Sequence, residues 1–97
     1  MKRVKKVELV LDSLDVAEVI TGLDRLGVRD YTILGGATGH GDRGRQSGVP
    51  FTAAFENTYM IIVCSDAQAQ QIVDVVRPVL VGRGGLCLLS DVQSVGH

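Results

Sequence analysis

The residues best suited to chemistry lie in two glycine-rich segments. The first, residues 35–48, holds half of the chain's glycines with one histidine and two arginines, and the second is Gly82–Gly85. Glycines let backbone N–H groups approach phosphate oxygens closely, and successive N–H groups form anion-binding nests. Neither segment matches the Gly-x4-Gly-Lys-Ser/Thr phosphate loop, so two ordinary turns are an equally weighted alternative. A polar loop as long as residues 35–48 is uncommon in a small domain and indicates a ligand- or partner-sensing element.

The placement of the polar side chains disfavours catalysis and metal binding. His40, Asp42 and Ser47 are residue types that hydrolases use, but a mobile glycine-rich loop is a poor frame for such a set. We therefore predict no catalytic residue and no enzyme activity. The two histidines and two cysteines match no common zinc spacing, so no metal site is predicted either.

Composition and charge predict one soluble, cytoplasmic domain over residues 1–97. Apolar residues make up 45% of the chain, and the net charge of −1 offers no electrostatic footprint for nucleic acid. No apolar run reaches about 18 residues and no signal peptide precedes the first strand, so no membrane insertion is expected. Cys64 and Cys87 are interpreted as free buried thiols, with a bridge left open if the strands bring them together.

Hydrophobic periodicity predicts four strands and two helices in the order βαββαβ. The first helix has Asp12 or Ser13 as its cap and Gly27 just beyond its end. The second begins at Ser65, and Pro78 is expected to kink or close it. The predicted ranges are a strand at 4–11, a helix at 14–26, a strand at 28–36, a strand from Ala54 or Thr58 to Cys64, and a strand at 86–89. Residues 90–97 form a short tail that pairs at an edge or stays loose.

This order predicts an α+β domain of the ferredoxin-like kind, a four-stranded antiparallel sheet with two helices on one face. Residues 59–63 are apolar on both faces, which is typical of a strand in the middle of a sheet. The helices leave the opposite apolar face uncovered, so that face is predicted to be an interface with another subunit. The two glycine-rich segments would lie at opposite edges of the sheet and meet only across subunits.

Three short motifs with known counterparts span most of the chain. They are Gly27-Val28-Arg29-Asp30-Tyr31-Thr32, Gly39-His40-Gly41, and Gly82-Arg83-Gly84-Gly85 with the strand that follows. In this order they resemble the PII signal-transduction superfamily, small trimeric proteins with a ferredoxin-like protomer. In that family the first motif holds the threonine that meets adenine, the second is the base of the long T-loop, and the third is the B-loop. The chain resembles in particular the short PII-like proteins associated with carboxysome and bicarbonate-transport gene clusters.

The resemblance implies a homotrimer with an adenine nucleotide in each cleft between neighbouring subunits. Residues 32–37 would contact the adenine and ribose, and residues 39–41 and 83–85 would hold the phosphates from opposite walls. Val63 and residues 86–87 would line the base pocket. The full set of nucleotide-binding residues is Thr32, Ile33, Leu34, Gly35, Gly36, Ala37, Gly39, His40, Gly41, Val63, Arg83, Gly84, Gly85, Leu86 and Cys87.

Departures from the family pattern indicate a weakly charged ligand. Leu86 stands where the B-loop usually supplies a lysine, Asp42 stands where an arginine is usual, and the chain ends at His97 without the C-terminal arginines. Fewer cations favour ADP or AMP over ATP. The T-loop, about residues 37–53, has no tyrosine to accept a uridylyl group. Bicarbonate is a candidate second ligand, because guanidinium groups and a hydroxyl suit planar oxyanions, although the same residues would also keep the loop soluble: Arg43, Arg45, Gln46 and Ser47.

The resemblance also implies how the protein would signal. Nucleotide binding would order the T-loop and present or hide it to a protein partner in inorganic-carbon metabolism. A bicarbonate transporter and a carboxysome component are the candidate partners. The alternative is an ACT-like regulatory module that binds an amino acid or another small molecule at a dimer interface.

Overall fold

Four strands and two helices form the βαββαβ domain that the sequence predicts, and the computed structural model describes residues 1–37 and 56–96. The elements are β1 (Lys2–Asp12), α1 (Val16–Arg25), β2 (Tyr31–Ala37), β3 (Asn57–Cys64), α2 (Asp66–Arg83) and β4 (Leu86–Ser94), with a 3-10 turn at Ser13–Asp15 before α1. All four strands pair in one antiparallel sheet in the order β2-β3-β1-β4. The predicted fold is confirmed, with β1 and β3 in the middle of the sheet and β2 and β4 at its edges.

The hydrophobic core lies between one face of the sheet and the two helices. Alternate residues of β1 and β3 are buried there, because every second side chain of a strand points to the same side. Each helix adds buried residues at helical spacing. The fully buried side chains are Val7, Leu9, Leu11, Val19, Leu23, Met60, Ile62, Ile72, Val76 and Val79.

One local side-chain contact begins the 3-10 turn before α1, and another begins α2. Helix α1 itself starts at Val16, two residues after the predicted start, and its N-cap Asp15 makes no side-chain cap hydrogen bond. The Asp12 carboxylate accepts a hydrogen bond from the N–H of Leu14 at 2.9 Å, which begins the 3-10 turn before α1. At α2 the Ser65 hydroxyl accepts from the N–H of Gln68 at 3.2 Å. The Gln68 side chain in turn accepts from the N–H of Ser65 at 3.1 Å, so the two residues form a capping box.

The second helix is longer than predicted. It does not close at Pro78 but continues to Arg83. A proline removes the hydrogen bond to the carbonyl group four residues earlier, which here belongs to Asp74. Both Pro78 and Asp74 are exposed, so water can satisfy that carbonyl, while Val76 and Val79 stay buried on the other side of the helix.

The last strand is also longer than predicted. Strand β4 runs from Leu86 to Ser94, so most of the expected tail pairs at the sheet edge, the first of its two predicted alternatives. The reason is that β1 begins at Lys2 and offers pairing partners as far as Ser94. Strand β2 begins at Tyr31 instead of residue 28, because the N–H of Val28 bonds to the carbonyl oxygen of Leu23 at 2.9 Å.

The two cysteines are free and lie far apart. Cys64 pairs with Lys5 of β1, and Cys87 pairs with Leu9 on the other side of that strand. Four residues of a strand span about 13 Å. This is well beyond the Cα separation that a disulfide allows, so the bridge left open by the sequence does not form within one subunit. Burial raises the pKa of both thiols.

Helices α1 and α2 are in close contact at Gly22. A Cβ atom there would overlap Cγ1 of Val75, whose branched side chain has little rotamer freedom in a helix. We expect Gly22→Ala to lower the free energy of unfolding by about 1–3 kcal/mol through overpacking. Urea denaturation measures this change in the free energy of unfolding. The control is Gly82→Ala in α2, where an added Cβ meets nothing within 4 Å and stability should hold or rise by up to ~1 kcal/mol. Equal effects of the two substitutions would contradict the prediction.

Candidate ligand site at the open face of the sheet

The face of the sheet opposite the helices is apolar and uncovered. Its leucines and valines are half-exposed, with Leu34 at 57%, Leu88 at 49%, Leu86 at 45% and Val63 at 43%. The strand register places Leu34, Tyr59, Val10 and Leu86 in one row across all four strands. We call this surface the open face, defined by alternate residues of the four strands: Lys6, Glu8, Val10, Thr32, Leu34, Tyr59, Ile61, Val63, Leu86, Leu88 and Ser90.

A polar group lies in the middle of the open face. The Tyr59 hydroxyl donates to Oε2 of Glu8 at 2.6 Å, and Nζ of Lys6 lies 3.6 Å from Oε1 of the same carboxylate. The pKa of Glu8 is lowered, chiefly by the hydrogen bond from Tyr59 and further by the charge of Lys6. The same bond raises the pKa of Tyr59. Each polar atom named here has a partner, so the group is tolerated on an otherwise apolar surface.

The two glycine-rich segments reach the same end of the sheet at opposite edges, as predicted. Strand β2 ends at Ala37 after a register irregularity that follows Leu34. Strand β4 begins at Leu86, directly after Gly84 and Gly85. Leu34 and Leu86 share a row but are three strand spacings apart, or about 14 Å. The described ends of the two segments are therefore separated by the width of the sheet within one subunit.

The remaining predicted nucleotide-binding residues divide between the two faces. Thr32 and Val63 lie on the open face, and Gly35 and Gly36 are exposed at the β2 edge. Ile33 and Cys87 alternate to the helix side, where Cys87 packs half-buried against the core, so Leu86 and Cys87 do not line one surface. The predicted residues outside the described part of the chain are Gly39, His40, Gly41, Arg43, Arg45, Gln46 and Ser47.

Arg83 has partners that the sequence did not predict. Its Nε lies 2.9 Å from Oδ1 of Asp15, and its Nη2 donates to Oε1 of Glu18 at 2.6 Å. Asp15 and Glu18 lie 65 or more positions before Arg83 in the chain. No local pattern reveals such a contact. A phosphate at this arginine would have to compete with two carboxylates.

A groove of about 840 Å³ opens at the other end of the sheet and was not predicted. Its walls are the start of β1, the ends of β3 and β4, and the first turn of α2. Nζ of Lys5 bridges Asp91 at 2.6 Å and Asp66 at 3.5 Å, and this contact lowers the pKa of Asp91 and raises that of Lys5. Within residues 1–37 and 56–96, no three His, Cys, Asp or Glu residues are placed to hold a metal ion. In the same part of the chain, neither helix is long and apolar enough to cross a membrane.

The fold matches solved structures of PII-like proteins. CPII from Thiomonas intermedia K12 bound to ADP, AMP and bicarbonate aligns with a TM-score of 0.77 and 23% identity over 95% of this chain and 92% of that chain. CPII bound to ADP and bicarbonate aligns with a TM-score of 0.78 and 25% identity over 95% and 88%. A proposed PII-like signaling protein from Thermus thermophilus gives 0.77 and 24% over 97% and 91%.

The sequence itself carries the family signature. The family model described as Nitrogen regulatory protein P-II matches residues 4–96, so the chain belongs to this family. A search of curated proteins finds no match. The resemblance read from the order of three short motifs is thereby confirmed.

The Tyr59–Glu8 bond makes a pH-dependent contribution to stability. Because the pKa of Glu8 is lowered on folding, this contribution is present above the unfolded-state value, near 4.3, and is lost as the pH falls through the folded-state pKa. In Tyr59→Phe we expect the pKa of Glu8 to rise towards its ordinary value and the acid-induced loss of stability to shrink. Carboxyl NMR titration measures the first and urea denaturation at several pH values the second. Tyr31→Phe, on the helix side, should leave both unchanged; a Glu8 titration unaffected by Tyr59→Phe would refute the assignment.

Proposed function

We propose that this protein is a PII-like regulator that binds ADP or AMP in clefts between the subunits of a homotrimer. The observation that supports the proposal is that the predicted site residues lie at two opposite edges of the sheet. The β2 end and the Gly84–Gly85 turn lie about 14 Å apart across one sheet, so they contact one small ligand only when a neighbouring subunit brings a second copy. The open face supplies an apolar surface on which that neighbour can pack.

The preference for a weakly charged nucleotide follows from the residues around the turn. The backbone N–H group of Gly85 is the proposed phosphate donor, since that of Gly84 already bonds to the carbonyl oxygen of Leu80, and Leu86 adds no charge beside it. Arg83, the cation of the turn, already pairs with two carboxylates. Adenine and ribose would lie along the exposed edge of β2 at residues 32–37, with Val63 against the base. CPII of Thiomonas, bound to ADP and AMP, supports this choice of ligand.

Bicarbonate is the proposed second ligand, and the T-loop is the proposed signalling element. The support for bicarbonate is its presence in the CPII structures and the residues of the loop that suit an oxyanion. Ordering of the loop on ligand binding would expose or hide it to a protein partner, for which a bicarbonate transporter or a carboxysome component are the candidates. The role is regulatory and not enzymatic, in line with the family.

The first test of the proposal is the order of nucleotide affinities. Isothermal titration should show ADP and AMP binding at least as tightly as ATP, since the described turn has no free cation for a third phosphate. The same titrations in bicarbonate-rich and bicarbonate-free buffer should differ in nucleotide affinity. Much tighter binding of ATP would contradict the proposed preference for ADP and AMP. Nucleotide affinities that do not depend on bicarbonate would contradict bicarbonate as the second ligand. Amino acids in the same panel would reveal an ACT-like module instead.

The second test is assembly through the open face. Leu88→Lys places a charge on that face beside Glu8, its partner on β1, so the subunit fold should survive. We expect the light-scattering mass to fall from about three times 10.4 kDa to the monomer value, with loss of nucleotide binding. Leu14→Lys is the control, because Leu14 is 77% exposed outside the open face and both readouts should stay unchanged. A Leu88→Lys trimer that still binds ADP would contradict the interface.

A further inference from the structure

We infer that Arg83 is a positioning residue, which fixes the glycine turn through Asp15 and Glu18 instead of neutralising a ligand phosphate. The inference rests on the proposed nucleotide site, because the turn at Gly84–Gly85 is taken as its phosphate-binding wall. Arg83 is the one charged residue of that wall, and the sequence predicted that it would bind a phosphate of the ligand.

The partners of Arg83 hold it firmly. Asp15 has a side chain only 10% exposed, and its Oδ1 lies 2.9 Å from Nε of Arg83. Glu18, one turn further along α1, accepts from Nη2 at 2.6 Å and is 59% exposed. Removing the guanidinium would leave the Asp15 carboxylate nearly buried without a counter-charge, which proteins rarely tolerate. The planar fork of arginine reaches both carboxylates at once, which a lysine ammonium does less well.

The turn beside Arg83 is held from the opposite side by packing. Gly84 has φ 86° and ψ 173°, a conformation that is essentially restricted to glycine, and its N–H donates to the carbonyl oxygen of Leu80 at 2.9 Å. A Cβ on Gly85 would lie 2.9 Å from the carbonyl oxygen of Val10. The turn is therefore clamped between α1, through Arg83, and β1, through Gly85.

The charges around the turn argue against a direct phosphate contact. One arginine faces two carboxylates, so the group of three carries a net charge of −1. A phosphate that captured Arg83 would approach this negative group and strip Asp15 of its partner. A phosphate that bound the backbone N–H group of Gly85 in a fixed turn would avoid both costs.

The test compares adenosine, AMP and ADP as ligands of four proteins: wild type, Arg83→Gln, Asp15→Asn and the double variant. If Arg83 positions the turn, Arg83→Gln should weaken AMP and ADP by a similar factor, about tenfold, or ~1.4 kcal/mol, and leave adenosine, which has no phosphate to reach the turn, unchanged. Asp15→Asn should do the same, and the double variant should be no weaker than either single one. The amide resonances of Gly84 and Gly85 should shift alike in both single variants without ligand. Arg25→Gln, an exposed arginine at the end of α1, is the matched control.

Other outcomes overturn the inference. An Asp15→Asn variant that binds AMP and ADP as tightly as wild type, or more tightly, would make Arg83 a phosphate ligand, and additive losses in the double variant would separate Arg83 from Asp15. If Arg83→Gln fails to fold, Glu18→Gln decides, because Glu18 is exposed. Positioning predicts about threefold weaker binding of AMP and ADP, whereas a direct role predicts stronger ADP binding once the guanidinium is released. Wild-type protein that binds none of them would refute the proposed function and not this inference alone.

Discussion

Two helices cover one face of a sheet whose opposite face also carries apolar side chains, and this mismatch shapes the rest of the molecule. Strands β1 and β3 bury Val7, Leu9, Met60 and Ile62 on the helix side. The opposite side of the same strands carries Val10, Ile61 and Val63 with nothing above them among the described residues of one subunit. The two helices of this short chain both lie on the helix side, so neither forms a third layer over the open face. Packing against further copies, as proposed above, would remove that face from water.

The helix side fixes the ends of the elements that carry the candidate site. Arg83 ends α2 and reaches Asp15 and Glu18 at the start of α1, so the two helices are joined close to where β4 begins. Gly85 then packs against β1, which leaves the turn little freedom. Binding groups made of backbone N–H depend on such support, because a glycine turn has no side chains with which to hold its own shape. The ion pairs of Arg83 therefore help to hold the turn of the candidate site in place, as its glycines do.

Periodic features of the sequence predicted the fold well. They could not predict contacts between residues that are far apart in the chain. The helical spacing of the apolar residues in α1 and the cap of α2 at Ser65 are local patterns, and both predictions are confirmed. The length of α2 was not predicted, because whether Pro78 closes a helix depends on which side of it is exposed. The partners of Arg83 and the Tyr59–Glu8 bond join residues more than 50 positions apart and have no signature in either segment. The roles assigned to His40 and Arg43 stay predictions, since both lie outside the described residues.

The division of the site between two sheet edges links ligand binding to assembly. If a nucleotide contacts the β2 end of one subunit and the Gly84–Gly85 turn of another, it binds the assembled form and stabilises it by mass action. Linkage is reciprocal, so the factor by which assembly tightens nucleotide binding equals the factor by which bound nucleotide strengthens assembly. The Glu8–Tyr59–Lys6 group then acquires a second role. It lies within the surface that assembly would bury, where its hydrogen bonds and charges favour the register that pairs them and penalise others. An apolar face alone would drive association without specifying how the subunits fit together. The Glu8–Tyr59–Lys6 group would add that constraint.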